Sequence, residues 1–275
     1  MDSASSAEEK DPDDINVDYT TMFVMEKPQI YRSMLAPKWL NMRWTVSVNN
    51  LSFNATSFIL YPSPPKFTSG DPQNVFTCVY QQSQSINART GSNEFGIAMQ
   101  GVGSHPIFVV TGSPHHQLEP GLQVYATDTC ETYLAENPQT SCNMVLPKDA
   151  AASFTPGSGR VDKNSTSEKA SIRISCDSFA GNDKARPFVG LGAPAPFGVG
   201  IVPTVVWKAV PNQSFHLAPM SNKWRIAKST AKTKIILDLS SQMPSDWIEV
   251  EFTEDNREIQ IDHNTDGTFS FSSDE

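Results

Sequence analysis

The segments best equipped for chemistry are Asp262-His263-Asn264-Thr265-Asp266-Gly267, the loop around His115, His116 and Glu119, four cysteines and five tryptophans. The first imitates the opening of a calcium loop, in which alternating oxygens converge on a hard cation. Such a loop closes with a bidentate Glu at its twelfth position, and counting from Asp262 that position is Ser273. The flanks alternate as strands do, so the segment is read as a hairpin turn. His115, His116 and Glu119 offer two imidazoles and a carboxylate. No C-x-x-C accompanies them, and His105, His216 and His263 lie in unrelated segments, so the loop is read as surface and no metal is expected. There is no G-x-S-x-G for an esterase nucleophile and no G-x-x-x-x-G-K run to cradle phosphates. Gly101-Val102-Gly103 and Gly190-Leu191-Gly192 lack the third glycine of a dinucleotide site. No cofactor is expected. Asp177 and Asp183 flank Cys176 and the glycine stretch, where a lone Asp reads as a turn former.

The tryptophans Trp39, Trp44, Trp207, Trp224 and Trp247 carry more weight. Aromatic rings stack on sugars or line apolar pockets, and they also fill cores. Trp44 shares a strand face with Met42, Val46 and Val48, which predicts core. Trp207 and Trp224 stand beside the small-residue stretch 190–200, which has the composition to shape the mouth of a cavity. His216 lies between Phe215 and Leu217 and points to the opposite side from both, a solvated strand position.

These residues must be positioned by strands. Met42–Val48, Ser57–Tyr61, Val75–Tyr80, Phe95–Met99, Ile107–Val110 and Leu122–Ala126 are short β-like runs separated by Pro, Gly and Asn turns. The second half continues with Ala170–Ile174, Val205–Val210, Ser214–Leu217, Lys223–Ile226, Lys234–Leu239 and Trp247–Phe252. Ile259–Ile261 and Thr268–Phe271 form a final hairpin through Asn264-Thr265-Asp266-Gly267. Thr21–Met25 is a further candidate strand. Helical periodicity is weak, with room for a short helix only in Leu118–Leu134 and Ser240–Trp247. The pattern predicts an all-β protein, an antiparallel two-sheet β-sandwich spanning 19–275 as a single domain. Residues 147–167, rich in Ala, Ser, Gly, Thr and Lys, read as a long surface loop. Residues 1–18 read as a disordered acidic tail with too few apolar groups to offset the entropy of ordering.

Net charge is -9, and it resides at the ends: residues 1–18 carry -6 and residues 249–275 carry -8, leaving a mildly basic body. This acidity argues against a nucleic-acid partner. The one basic cluster, Lys223, Arg225, Lys228, Lys232 and Lys234, reads as a solvated strand face over which the acidic ends would fold. No apolar run approaches the ~20 residues of a spanning helix, so no membrane span is expected. The start is acidic and polar, which predicts a cytoplasmic protein, or a secreted one if a signal has been trimmed ahead of Met1. In the cytoplasm Cys78, Cys130, Cys142 and Cys176 would be buried free thiols. In a secreted chain Cys130–Cys142 is the nearest candidate bridge. Sequons at Asn50, Asn54, Asn164 and Asn212 do not decide between the two.

Trp44-Thr45-Val46-Ser47-Val48-Asn49-Asn50 is followed by Val75-Phe76-Thr77-Cys78-Val79-Tyr80-Gln81, then by Gly198-Val199-Gly200-Ile201, Val206, Pro211-Asn212-Gln213-Ser214-Phe215, Pro219 and Trp224. This order, over roughly residues 40–228, resembles the small all-β proteins typified by the rhizosphere-expressed protein of nodulating bacteria and its fungal relatives. The resemblance implies an all-β fold in a soluble protein. Its matching residues are strand and turn formers, so no catalytic residue is carried over.

Two functions are expected from these readings. One is a non-catalytic binding protein with an aromatic-lined cleft for an apolar small molecule or a glycan. Trp207, Trp224 and Phe215 would be the anchors, with Gln81, Gln82, Asn212 and His216 as polar contacts. The other is a cofactor-independent enzyme, a cyclase or isomerase acting on a hydrophobic metabolite, with His216, His105 or a pocket Asp polarising the substrate. An enclosed cavity would favour the enzyme, and a surface groove would favour the glycan.

Overall fold

The computed structural model describes residues 43–272 except 71, 99, 101–105, 134–139, 149, 162–170, 180–185, 197–199, 219–221 and 254, all within one compact unit, Lys38–Glu275. The tail 1–18, the candidate strand Thr21–Met25, Trp39, His105, Asn164 and Asp183 lie outside the described residues.

The protein is all-β, and among the described residues its strands form four mostly antiparallel sheets rather than two. In the first sheet, β1 (Arg43–Asn50) lies between β6 (Gly91–Ala98) and β18 (Glu258–His263), and β19 (Phe269–Phe271) forms the far edge beside β18. The fourth sheet runs β17 (Trp247–Glu251), β16 (Lys223–Lys228), β2 (Phe58–Pro62), β5 (Gln81–Gln82). The second is ordered β10 (Ser153–Phe154), β9 (Thr140–Val145), β12 (Ile172–Cys176), β15 (Ser214–Leu217), β3 (Phe67–Ser69), with β11 (Arg160–Val161) also on β9. The third runs β4 (Val75–Thr77), β14 (Ile201–Lys208), β13 (Phe188–Pro194), β7 (Ile107–Gly112), β8 (Asp128–Thr132). Two pairs, β1 with β18 and β9 with β12, are parallel.

Alternation decides which faces meet. In β1, Trp44, Val46, Val48 and Asn50 are buried while Arg43, Thr45, Ser47 and Asn49 are not, as a strand with one wet face requires. Trp44, Val46 and Val48 join Phe95 and Ile97 of β6, Phe58 and Leu60 of β2, Trp224 and Ile226 of β16, and Ile259 and Ile261 of β18 in one core shared by the first and fourth sheets. A second core lies between the second and third sheets. It combines Cys142, Met144, Ile172, Ile174, Phe215 and Leu217 with Ile107, Val109, Val189, Leu191, Val205 and Trp207.

The remaining faces of the third and fourth sheets are covered as well. Leu118, Val124 and Ile236 close over Val110, Phe188 and Val206, and Leu237 with Ala231, Leu239 and Trp247 closes over Ile59, Tyr61 and Ala227. The covering segments include Leu122–Ala126 and Lys234–Leu239, read from sequence as strands. They contribute isolated bridges only, Gln123 to Ile235 and Cys78 to Ile236. No α-helix occurs among the described residues: Leu118–Leu134 holds β8, and Ser240–Trp247 holds 3₁₀ turns. The 147–167 loop contains β10 and β11, both paired to β9. At Gly190 a Cβ would stand 2.1 Å from the Val205 carbonyl oxygen, so the absence of a side chain lets β13 and β14 approach.

The acidic C-terminal stretch meets part of the basic cluster. Lys223 lies 3.4 Å from both Glu249 and Glu251, and Arg225 Nε donates to Glu249 Oε2 at 3.1 Å. Arg225 also stacks 4.2 Å above the Trp247 ring. The contact is made by neighbouring strands, β16 and β17.

Where β1 meets β18, Asn50 is fully buried and donates to the carbonyls of Asn54, Ile86 and Asn87. That sequon side chain is committed to the fold. Its Oδ1 lies 3.2 Å from Nδ1 of His263, whose ring packs edge-on to Phe58. Burial first, and then the Lys228 charge, hold the His263 pKa below its ordinary value, against the pull of Gly267 and Asp266. The unfolded chain takes up this proton near pH ~6.5 and the folded chain resists it. Stability should therefore be full above pH ~6.5 and fall as the pH drops towards the folded pKa. Urea midpoints measured between neutral and mildly acidic pH should show this fall, and His263→Gln should flatten it.

Candidate functional site

The second sheet turns one face to its core and the other outward. On that outward face the register sets Arg160 of β11 opposite Ser141 of β9, Ser141 opposite Arg173 of β12, Arg173 opposite His216 of β15, and His216 opposite Ser69 of β3. Side chains paired across strands share a face, so two guanidiniums and an imidazole fall in one row. Ile172, Ile174, Phe215 and Leu217, one position off the row, are buried, which fixes the row as outward. A second row, Asn143, Ser175 and Ser214, runs beside it, with the last two hydroxyls 2.8 Å apart.

At one end of these rows lies an open pocket of about 240 Å³. Its floor is Ser141, Asn143 and Arg173, and its wall is the Thr155–Ser158 turn with Arg160. The turn is held firmly: Thr155 N–H donates to the Asn143 carbonyl at 2.9 Å, Asn143 N–H donates to Ser158 Oγ at 3.1 Å, and Gly159 N–H donates to the Ser141 carbonyl at 2.8 Å. Gly159 has φ +85, and a Cβ there would stand 2.1 Å from the Glu131 carbonyl oxygen. Glycine thus lets the turn close down on β8.

No carboxylate occurs among the described residues lining the pocket, and two of them are arginines. A guanidinium presents a planar fork of donors that matches the oxygens of a carboxylate, sulfate or phosphate. Hydroxyls and an amide beside it add neutral hydrogen bonds. His216 responds to the same field: partial burial first, and then the Arg173 charge, lower its pKa.

The seven residues expected to form a binding site are not brought together as one set; only Trp207 and Phe215 among them share ring contact, and they do so inside a core. Trp207 and Phe215 are fully buried in the second core, with ring centroids 5.6 Å apart, and Phe67 meets Trp207 edge-on at 5.0 Å. Trp224 is in the other core against Tyr80, at 5.2 Å. These rings have protein neighbours where a cleft would need a ligand. Gln81 is buried, and Gln82 Nε2 donates to the Thr230 carbonyl at 3.1 Å. Asn212 is exposed in the turn between β14 and β15 with φ 58. Only His216 stands on the pocket-bearing face. Arg160, Ser141 and Arg173 were not singled out from sequence. The outward position of Arg173 is readable from its alternation with Ile172 and Ile174, but its neighbours depend on the parallel pairing of β9 with β12.

The hairpin reading of Asp262–Gly267 agrees with the structure. Asp266 Oδ1 accepts from the N–H and hydroxyl of Thr268, and Gly267 has φ +86. His115 and His116 are exposed, and no group of three metal-ligating side chains occurs among the described residues. No helix among them is long and apolar enough to cross a membrane. Comparison with known proteins returns no match: no family model, curated protein or solved structure corresponds significantly to this chain.

Two outcomes follow. Trp207→Ala should lower stability by about 3–5 kcal/mol, the cost of emptying a buried aromatic site, when measured by urea unfolding followed at another tryptophan or by circular dichroism. The His216 imidazole, titrated by NMR, should have a pKa below ~6.5, and Arg173→Gln should raise it.

Proposed function

We propose that this protein is a non-catalytic binding protein and that its ligand is an anionic glycan. The sulfate, phosphate or carboxylate group of the sugar is held between Arg160 and Arg173. The observation that carries this is the polar pocket bearing two guanidiniums and no acidic lining residue among those described. Its volume falls below the ~300–1,000 Å³ of pockets that enclose drug-sized ligands. It suits one charged sugar unit. Ser141, Asn143 and Ser158 supply the hydroxyl and amide partners that sugars require. An apolar ligand lacks comparable support, because Trp207, Phe215 and Trp224 are engaged by the cores. A cyclase or isomerase would need an enclosed site with an ionisable group poised inside, and no observation among the described residues favours that reading.

We read the scaffold as two β-sandwiches built from one interleaved chain, supported by the two cores each shared between a pair of sheets. Kinship with the rhizosphere-expressed all-β family belongs to the same proposal. It rests on strand and turn residues such as Trp44, Val46, Val75 and Phe215, and it assigns no role to the pocket.

Calorimetric titration with a sulfated disaccharide, its desulfated counterpart and inorganic phosphate tests the function. The sulfated sugar should bind and the neutral one should not, and added salt should weaken binding. Arg160→Ala, at an exposed position that leaves the cores intact, should weaken it by about 10-fold or more, the worth of a charge-assisted hydrogen bond. Equal binding of charged and neutral sugars, or an unchanged affinity in the Arg160 variant, would overturn the reading.

A further inference from the structure

We propose that Cys130 and Cys142 are the site of a disulfide that joins the third sheet to the second, beneath the turn that walls the pocket. This inference stands apart from the anion reading. Cys130 is on β8, the edge strand of the third sheet, and Cys142 is on β9 of the second. Both side chains point into the core those sheets share, and their Sγ atoms are 2.9 Å apart. The contact spans two sheets rather than two neighbours in one sheet. A small inward shift brings the sulfurs to the ~2.05 Å of an S–S bond.

The surroundings favour the bonded state. Cys142 is fully buried and Cys130 is 5% exposed, so neither thiol finds water. A Cβ at position 159 would lie 3.0 Å from Cys130 Sγ. Glycine there leaves room for the sulfur pair while the turn closes over it. The Cys142 thiol is held well above its ordinary pKa, first by its contact with Cys130 and then by burial. A disulfide removes both thiol protons and places a compact apolar group in an apolar site.

The oxidant required is a small-molecule disulfide, RS–SR. One protein thiol gives up its proton, and the thiolate attacks RS–SR to form a mixed disulfide, expelling RS⁻. The second protein thiol loses its proton and attacks the first protein sulfur, expelling the other RS⁻. The two released protons go to the two RS⁻ groups. The net change is two protein thiols and one RS–SR converted to one protein disulfide and two RSH. Because the pair is covered, exchange proceeds during folding or during local opening at the β8 edge, and the finished bond resists reduction.

Full-length protein is refolded in a glutathione redox buffer, then denatured and alkylated. The expected result is an intact mass two hydrogens below that of the reduced protein before alkylation, alkylation at Cys78 and Cys176 only, and a Glu-C digest fragment joining the Cys130 and Cys142 peptides. The oxidised protein should melt about 5–10 °C above the reduced protein, as a short closed loop in a chain of this size implies. The double variant Cys130→Ser, Cys142→Ser should show no such redox difference. If that variant does not fold, mapping on the wild-type protein decides alone. Alkylation of all four thiols after oxidative refolding, or a bond mapped to any other pair, would overturn the proposal. Neither outcome depends on whether the pocket binds an anion.

Discussion

Burial of both faces of the same strands is the constraint on which this structure depends. β2, β7 and β13 are buried along their whole length, and β14 nearly so. A strand covered on both sides must be apolar or small at successive positions, which is why these segments read as runs such as Ile107-Phe108-Val109-Val110 rather than as alternating patterns. Two sheets facing one another cover only one side of each. The second cover is supplied by irregular chain, residues 113–126 and 229–246, whose Leu118, Val124, Ile236 and Leu237 take the outer faces. The outer faces of the first and second sheets retain their polar alternation.

The site follows from that arrangement. β9 and β12 run parallel, so their alternation stays in phase and places Ser141 beside Arg173. β15 extends the row to His216, and the β10–β11 return brings Arg160 over the end of it. The row sets Arg160, Arg173 and His216 on one sheet face, although the chain as a whole is strongly acidic. The acidic C-terminal stretch is used on other sheets. Glu249 and Glu251 balance Lys223 and Arg225 in the fourth, and Asp262 accepts from Asn49 and Ser272 in the first. Acidity at one end of the sequence and a basic row elsewhere are thus compatible in one molecule.

Local signals made the all-β class and most strands readable in the sequence. The alternation in β1 and β15 predicted which side chains are buried, and Asn264-Thr265-Asp266-Gly267 predicted the last hairpin. What the sequence did not reveal was long-range pairing. A two-face buried strand and a covering segment have similar compositions, so Leu122–Ala126 and Lys234–Leu239 read as strands yet serve as lids over sheets. Division into four sheets depends on which strand neighbours which, and no local pattern encodes that. The candidate site suffered for the same reason. Trp207, Trp224 and Phe215 attracted attention by residue type, but a ring's role depends on what faces it, and here that is Phe67, Tyr80 and other core groups. Arg160 sat in a segment read as loop, and its place beside the pocket comes from the pairing of β11 with β9.

The interleaving of strands has a consequence for how the chain comes into being on the ribosome. β1 lies between β6 and β18, and its Asn49 bonds to Asp262, 213 residues later. Until β18 emerges, one edge of β1 has no native partner. At synthesis rates of ~5–20 residues per second the nascent chain waits ten seconds or more, on the order of that ratio, with β1 and the apolar face of β2 awaiting late strands. The polar outward residues of β1, Thr45, Ser47 and Asn49, lower the apolar content of that waiting edge. The first sheet is begun early and completed only when β18 and β19 emerge, so a chain released before them would carry an open β1 edge, although every strand of the second and third sheets precedes them.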